Sequence, residues 1–119
     1  MRRGELWLAD LAGGPTTPSG TGPQPGHPVV VVSNDAANAA AAALRRGHVT
    51  VVPVSTGAGR GRPFQVELDP QETGLREPAK AQAEQVRSLS AARLSRRIGA
   101  LSPQTMRALD DALRVHLGL

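Results

Sequence analysis

The sequence predicts a mainly β domain closed by one α-helix: a small, partly open barrel with the helix packed on it. Two observations carry that reading. Short apolar runs, rich in valine and bounded by Gly, Pro, Ser or Asn, recur along the first 101 residues, as buried or half-buried strands do. After them, Met106, Leu109, Leu113 and Leu117 repeat at helical spacing. With 119 residues and 39% hydrophobic content, the chain fits a single domain, 1–119, with a real core.

The elements follow in order. Glu5–Leu11 alternates loosely around Trp7 and reads as a first strand. Ala12–Gly26 carries no charge and is rich in Gly, Pro, Ser and Thr. Such composition packs no core and is mobile by default, and its length marks a functional flap or an insertion. His27–Ser33, HPVVVVS, is the clearest strand: a proline, four valines, then turn residues. Asn34 or Asp35 caps a short helical stretch over Ala36–Leu44, which Arg45-Arg46-Gly47 ends. Val49–Val54 is a third strand, whose Pro53 implies an edge or a bulge near its end. Ser55–Arg62, STGAGRGR, is a polar loop. Phe64–Leu68 is a fourth strand, Asp69–Glu77 a turn region, Lys80–Leu89 one further strand and Arg96–Leu101 a short last one. Ser102 then caps the terminal helix, Pro103 opens it and Gly118 stops it.

Composition excludes several functions. There are no cysteines, hence no disulfide and no thiolate metal site. His48 and His116 have no acidic partner at ligand spacing, so neither metal nor cofactor is expected. No stretch approaches the ~20 apolar residues of a membrane span, and MRRGELWLAD is not a signal peptide, which makes the cytoplasm the expected compartment. The net charge is +4, from 13 Arg and the single Lys80 against 10 acids. Arg forks suit phosphate, although the Ala, Gly and Pro richness points to a GC-rich genome that favours Arg everywhere. The positive balance itself favours an anionic partner. Trp7 and Phe64 are too few for an aromatic stacking platform.

Six pieces in order resemble the MazF/PemK family of toxin ribonucleases: RRGELWLADL (2–11), PVVVVSND (28–35), VTVVPVST (49–56), PFQVELDPQETGL (63–75), AQAEQVRSL (81–89) and RRIGALSP (96–103) with the helix after it. The resemblance implies an SH3-like, CcdB/PemK-like barrel that forms homodimers. It implies a sequence-specific, metal-independent endoribonuclease that cleaves single-stranded RNA to 2′,3′-cyclic phosphate and 5′-hydroxyl ends. It further implies a cognate antitoxin with an acidic flexible segment. The family's sites lie before the second strand, at the end of the third, and along AEQVRS. One departure stands out. The family has a catalytic Arg directly before the proline of the second strand, where this chain has His27, and the preceding loop lacks the family's Glu. The family's hydroxyl, usually Thr, falls on Ser55.

RNA cleavage of this kind uses the ribose 2′-hydroxyl as nucleophile, so it needs a proton acceptor, a proton donor and hydrogen-bond donors for the phosphorane charge. An imidazole, with an unperturbed pKa of ~6.5, suits either proton role. His27 is therefore the expected acid or base, Ser55 the expected phosphate donor, and Thr56 its support. Arg60 and Arg62, on the glycine-rich loop, are expected on phosphates. Asn34, Gln85 and Arg87 match the base edges that single-stranded RNA exposes. Each has a plainer role: strand-end turn for Ser55 and Thr56, helix cap for Asn34, surface hydrogen bonds for the others. Arg96-Arg97 reads as a solvated face. Other readings are an impaired member that only binds RNA and antitoxin, a CcdB-like gyrase poison, or a generic basic nucleic-acid-binding barrel. The ordered resemblance and the few aromatics disfavour the generic barrel. The gyrase poison is disfavoured because CcdB ends Trp-Gly-Ile, against Leu117-Gly118-Leu119 here.

Overall fold

The computed structural model describes residues 1–11, 26–44, 46–57 and 62–119. The sequence reading of Ala12–Gly26 as a mobile loop lies outside these residues except at Gly26. Within the described residues, seven strands form one antiparallel sheet: β1 (Glu5–Ala9), β2 (His27–Val31), β3 (His48–Thr56), β4 (Gln65–Leu68), β5 (Ala79–Gln82), β6 (Arg87–Ser90) and β7 (Leu94–Ala100). Three helices accompany them: α1 (Asp35–Leu44), a single turn α2 (Pro70–Thr73), and α3 (Pro103–Leu117). The strand order is β4-β5-β3-β2-β1-β7, with β6 also on β3.

β3 is the hub. Its first half, His48–Val51, pairs with β6 and its end, Val54–Thr56, pairs with β5. Pro53 stands where the outer partner changes, so its missing N–H removes no bond from either outer ladder. The expected edge or bulge is thus corrected: β3 is central, and its register with β2 runs unbroken through Val29↔Pro53. The single strand expected over Lys80–Leu89 is two strands, β5 and β6, broken by a 3₁₀ turn at Ala83–Gln85. That break lets the segment leave one half of β3 and rejoin the other.

The valine run of β2 is buried because both of its faces are covered. In a first core Val30 packs with Leu6, Val52, Val54, Ala81 and Leu109, and in a second Val29 and Val31 pack with Ala9, Val49, Val51 and Leu89. Alternation along a strand sends successive side chains to opposite faces, so a continuous apolar run marks two-sided burial.

α3 starts as its sequence dictates: the Ser102 hydroxyl accepts the Thr105 N–H at 3.2 Å, and Gly118 ends it at φ 72°. Leu109 and Ala112 are buried, and Met106 and Leu113 pack beside them on the first core. Leu117, placed on that face by its spacing, is 52% exposed. Glu72 of α2 seats the start of α3, accepting the Ser102 N–H at 2.7 Å and the Thr105 hydroxyl at 2.9 and 3.0 Å. Burial pushes its carboxyl up, but the Ser102 N–H and the Ser102 and Thr105 hydroxyls outweigh this and hold it below the ordinary range. α2 can lie on β7 because Gly74 takes φ 72° and Gly99 has no side chain: a Cβ at Gly99 would stand 2.2 Å from the Glu72 carbonyl oxygen. At the other end, Arg3 ties three elements together. Its N–H donates to Asp35 at 2.7 Å, its Nε to the Val32 carbonyl at 2.9 Å, and its guanidinium pairs with Asp110.

Candidate functional site

Proline restricts the residue before it to extended backbone, so His27 enters β2 already in strand conformation. β1 sets Ala9 opposite His27. The β2–β3 register pairs Val31↔Val51, Val30↔Val52 and Val29↔Pro53. Continued by two residues, it brings His27 opposite Ser55. β5 then sets Lys80 opposite Ser55, and β4 sets Glu67 opposite Lys80. Directly opposed residues project to the same face. Ser55, Lys80 and Glu67 therefore form a row across three strands, and the continued register extends it through His27 to Ala9. His27 and Glu67 are exposed, and Ser55 and Lys80 are half-buried. The neighbours of this row, Val54 and Ala81, turn to the other face and into the first core. Farther along the row's own face lie Val29, Val31, Val49 and Val51. The row is thus a polar end of a face that is apolar over Val29, Val31, Val49 and Val51. A cleft of about 510 Å³, lined by Gly57, Glu67, Asp69, Pro78 and Lys80 among others, adjoins its β4–β5 end.

Two of the residues expected to act together do not share this face. Thr56, exposed, follows Ser55 with its side chain on the opposite side and pairs in register with Ala79. Asn34 lies seven residues beyond His27, roughly 20 Å along an extended chain. Its side-chain oxygen accepts the Ala37 N–H at 2.8 Å, so it caps α1, the plainer of its two readings.

The remaining residues flank the row. Arg87, exposed, opposes Val51. It projects to the face of Ser55, four β3 residues or about 13 Å away. Gln85 is exposed on the 3₁₀ turn between β5 and β6. Arg62 is exposed at the entry to β4, where its N–H donates to the Gln65 side chain at 3.2 Å. Arg60 lies outside the described residues. Arg97 forms an ion pair with Glu5 at 3.0 Å. Burial raises the Glu5 carboxyl, yet hydrogen bonds from the Arg2 N–H and Trp7, with the Arg97 charge, hold it below the ordinary range. Arg97 is thereby engaged in the barrel wall.

Lys80 and Glu67 were not among the residues the sequence singled out for the site. The signal that finds them is cross-strand register, which depends on three separate pairings and is not visible along the chain.

The fold agrees with that of known proteins. A family model described as PemK-like, MazF-like toxin of type II toxin–antitoxin system matches residues 2–117. The chain is 50% identical to the endoribonuclease MazF9 of Mycobacterium tuberculosis, over 100% of its own length and 98% of that protein's. It is 32% identical to the endoribonuclease MazF of Staphylococcus epidermidis, over 100% and 92% of the two chains. A mycobacterial endoribonuclease solved in complex with its cognate antitoxin superposes with a TM-score of 0.74 at 27% identity, covering 100% of this chain and 96% of that one. Among the described residues, no helix is long and apolar enough to cross a membrane. With the order of its six sequence pieces, its seven-stranded antiparallel sheet and its terminal helix all in agreement, the chain belongs to the PemK-like, MazF-like family of toxins of type II toxin–antitoxin systems.

Proposed function

We propose that this protein is a cytoplasmic endoribonuclease toxin, a single domain acting as a homodimer, that cleaves single-stranded RNA at a short sequence motif without a metal ion. The observation that supports this reading best is the β2–β3 register, whose continuation by two residues past Val29↔Pro53 sets His27 opposite Ser55. In the reaction, a base removes the ribose 2′-hydroxyl proton, the 2′-oxygen attacks phosphorus, and the bond from phosphorus to the 5′-oxygen breaks. A proton returns to that 5′-oxygen, leaving a 2′,3′-cyclic phosphate and a 5′-hydroxyl. His27 serves one of the two proton transfers, and the Ser55 hydroxyl donates to a non-bridging oxygen as its charge grows. Arg87 and Gln85 are assigned to bases flanking the cut, and Arg62 and Arg60 to phosphates. Thr56, on the far face, is left to the strand end, and Asn34 to its cap. An antitoxin with an acidic flexible segment complements a chain of net charge +4.

The test is incubation of the purified protein with long single-stranded RNA in excess EDTA, followed by end mapping. Discrete cuts with cyclic phosphate and 5′-hydroxyl ends are expected. Retained RNA binding with no cleavage points instead to an impaired member, a reading that the exchange of Arg for His27 and the uncharged loop favour.

A further inference from the structure

We propose that Lys80 is a catalytic residue of this ribonuclease, supplying the fixed positive charge that neither His27 nor Ser55 provides at the scissile phosphate; this rests on the ribonuclease reading above. The row across the sheet carries the inference. Lys80 opposes Ser55 in the β3–β5 ladder, on the face to which the β2–β3 register brings His27. Directly opposed residues have Cβ atoms roughly 5 Å apart. A phosphate held by the Ser55 hydroxyl thus lies within the span of the Lys80 side chain, whose four-carbon stem carries a compact charge with three donors.

The need for such a group follows from chemistry. The phosphorane gains negative charge on its non-bridging oxygens as the 2′-oxygen bonds to phosphorus. A serine hydroxyl is a neutral donor, and an imidazole that has just given up or not yet taken a proton carries no charge. An ammonium keeps its charge through both proton transfers. Lys80 itself exchanges no proton in the step.

Position and burial agree with this role. Lys80 is the single lysine of a chain with 13 arginines. It is half-buried, so its charge acts in a medium less screening than bulk water. Glu67 opposes it from β4, on the side of Lys80 away from Ser55, and borders the same cleft. A purely structural role is the competing explanation: a cross-strand charge pair of Lys80 with Glu67 that holds β4 on β5.

The two roles separate in a set of variants, measured as steady-state cleavage of single-stranded RNA in EDTA, with melting temperatures in parallel. Lys80→Gln is expected to lower kcat about 100-fold or more with a much smaller change in KM, the signature of an interaction made in the transition state. Lys80→Arg, which restores a fixed charge, should recover activity to within about tenfold of the parent chain. Glu67→Gln should stay within about threefold. Cleavage by Lys80→Gln within threefold of the parent overturns the proposal. So does a Glu67→Gln variant as impaired as Lys80→Gln, with matching losses of melting temperature, because the pair then acts structurally. A parent chain that cuts no RNA overturns the ribonuclease reading and this proposal together, whereas an active parent with an equally active Lys80→Gln overturns this proposal alone.

Discussion

If His27 and Ser55 act on one phosphate, their removal must not be additive. Loss of a general acid or base slows a reaction typically ~10²–10⁴-fold, and loss of one transition-state donor ~10²–10³-fold. Independent losses would multiply to ~10⁴–10⁷. Continued by two residues past Val29↔Pro53, the register sets His27 opposite Ser55 as one cross-strand pair. Both side chains then serve the same phosphorane, and once one is gone the other has little left to stabilise. The double variant His27→Ala/Ser55→Ala should therefore be about as slow as the worse single variant, a coupling of about 3 kcal/mol. The control pair is His27→Ala with Asn34→Ala, whose positions are roughly 20 Å apart along the chain and whose effects should simply multiply. The assay is the initial rate of cleavage of single-stranded RNA in EDTA, at temperatures where every variant is folded by circular dichroism. If the His27 and Ser55 losses multiply to within threefold, the two groups do not share a phosphate and the extended register is wrong.

Other predictions concern the frame. The folded-state carboxyl of Glu72 is held below its ordinary value, so it contributes stability that is fully present above the unfolded pKa of ~4.3 and is lost as pH falls through the folded value. Glu72→Gln should thus lower stability at pH 7 by ~1–3 kcal/mol, and the melting curves of parent and variant should converge in acid; a constant gap down to pH 2 contradicts the assignment. Gly99→Ala forces a Cβ against the Glu72 carbonyl oxygen and should cost ~1–3 kcal/mol by urea denaturation. Asn34→Ala removes the α1 cap and should cost ~1 kcal/mol, while cleavage per folded molecule stays within twofold. An unchanged stability with weakened RNA binding would instead restore Asn34 to the RNA path.

Elements with strong local signals were legible in the chain. β2 announced itself because four consecutive valines satisfy a strand buried on both faces. α3 did so because Ser102, Pro103 and Gly118 punctuate a helical repeat. The break at Ala83–Gln85 was not legible, since AQAEQVRSL contains no Gly or Pro and alternates tolerably as one strand. Its reason is tertiary: β3 offers β5 one half of its outer edge and β6 the other. Pro53 was read correctly as an obstacle to a ladder, but the fold met it with that same change of partner rather than with an edge. Leu117 kept the helical spacing and is nonetheless exposed, because spacing tells which side of a helix a residue lies on and not how far the body beneath it extends.

The site divides in the same way. His27 and Ser55 could be named from the chain, by their place before Pro28 and after VTVVPV. Their expected companions depended on direction. Thr56 is adjacent in sequence yet on the opposite face, and Asn34 ends the same valine run yet spends its side-chain oxygen on α1. Lys80, twenty-five residues from Ser55, stands directly across from it. Sequence alone determined most of the strands, the terminal helix, the family and the kinds of group available for chemistry, because periodicity, caps and turn residues are local. Only the tertiary structure decided which of those groups share a face, because strand pairing joins residues far apart in the chain and a shift of one residue in register would turn each side chain to the other side of the sheet.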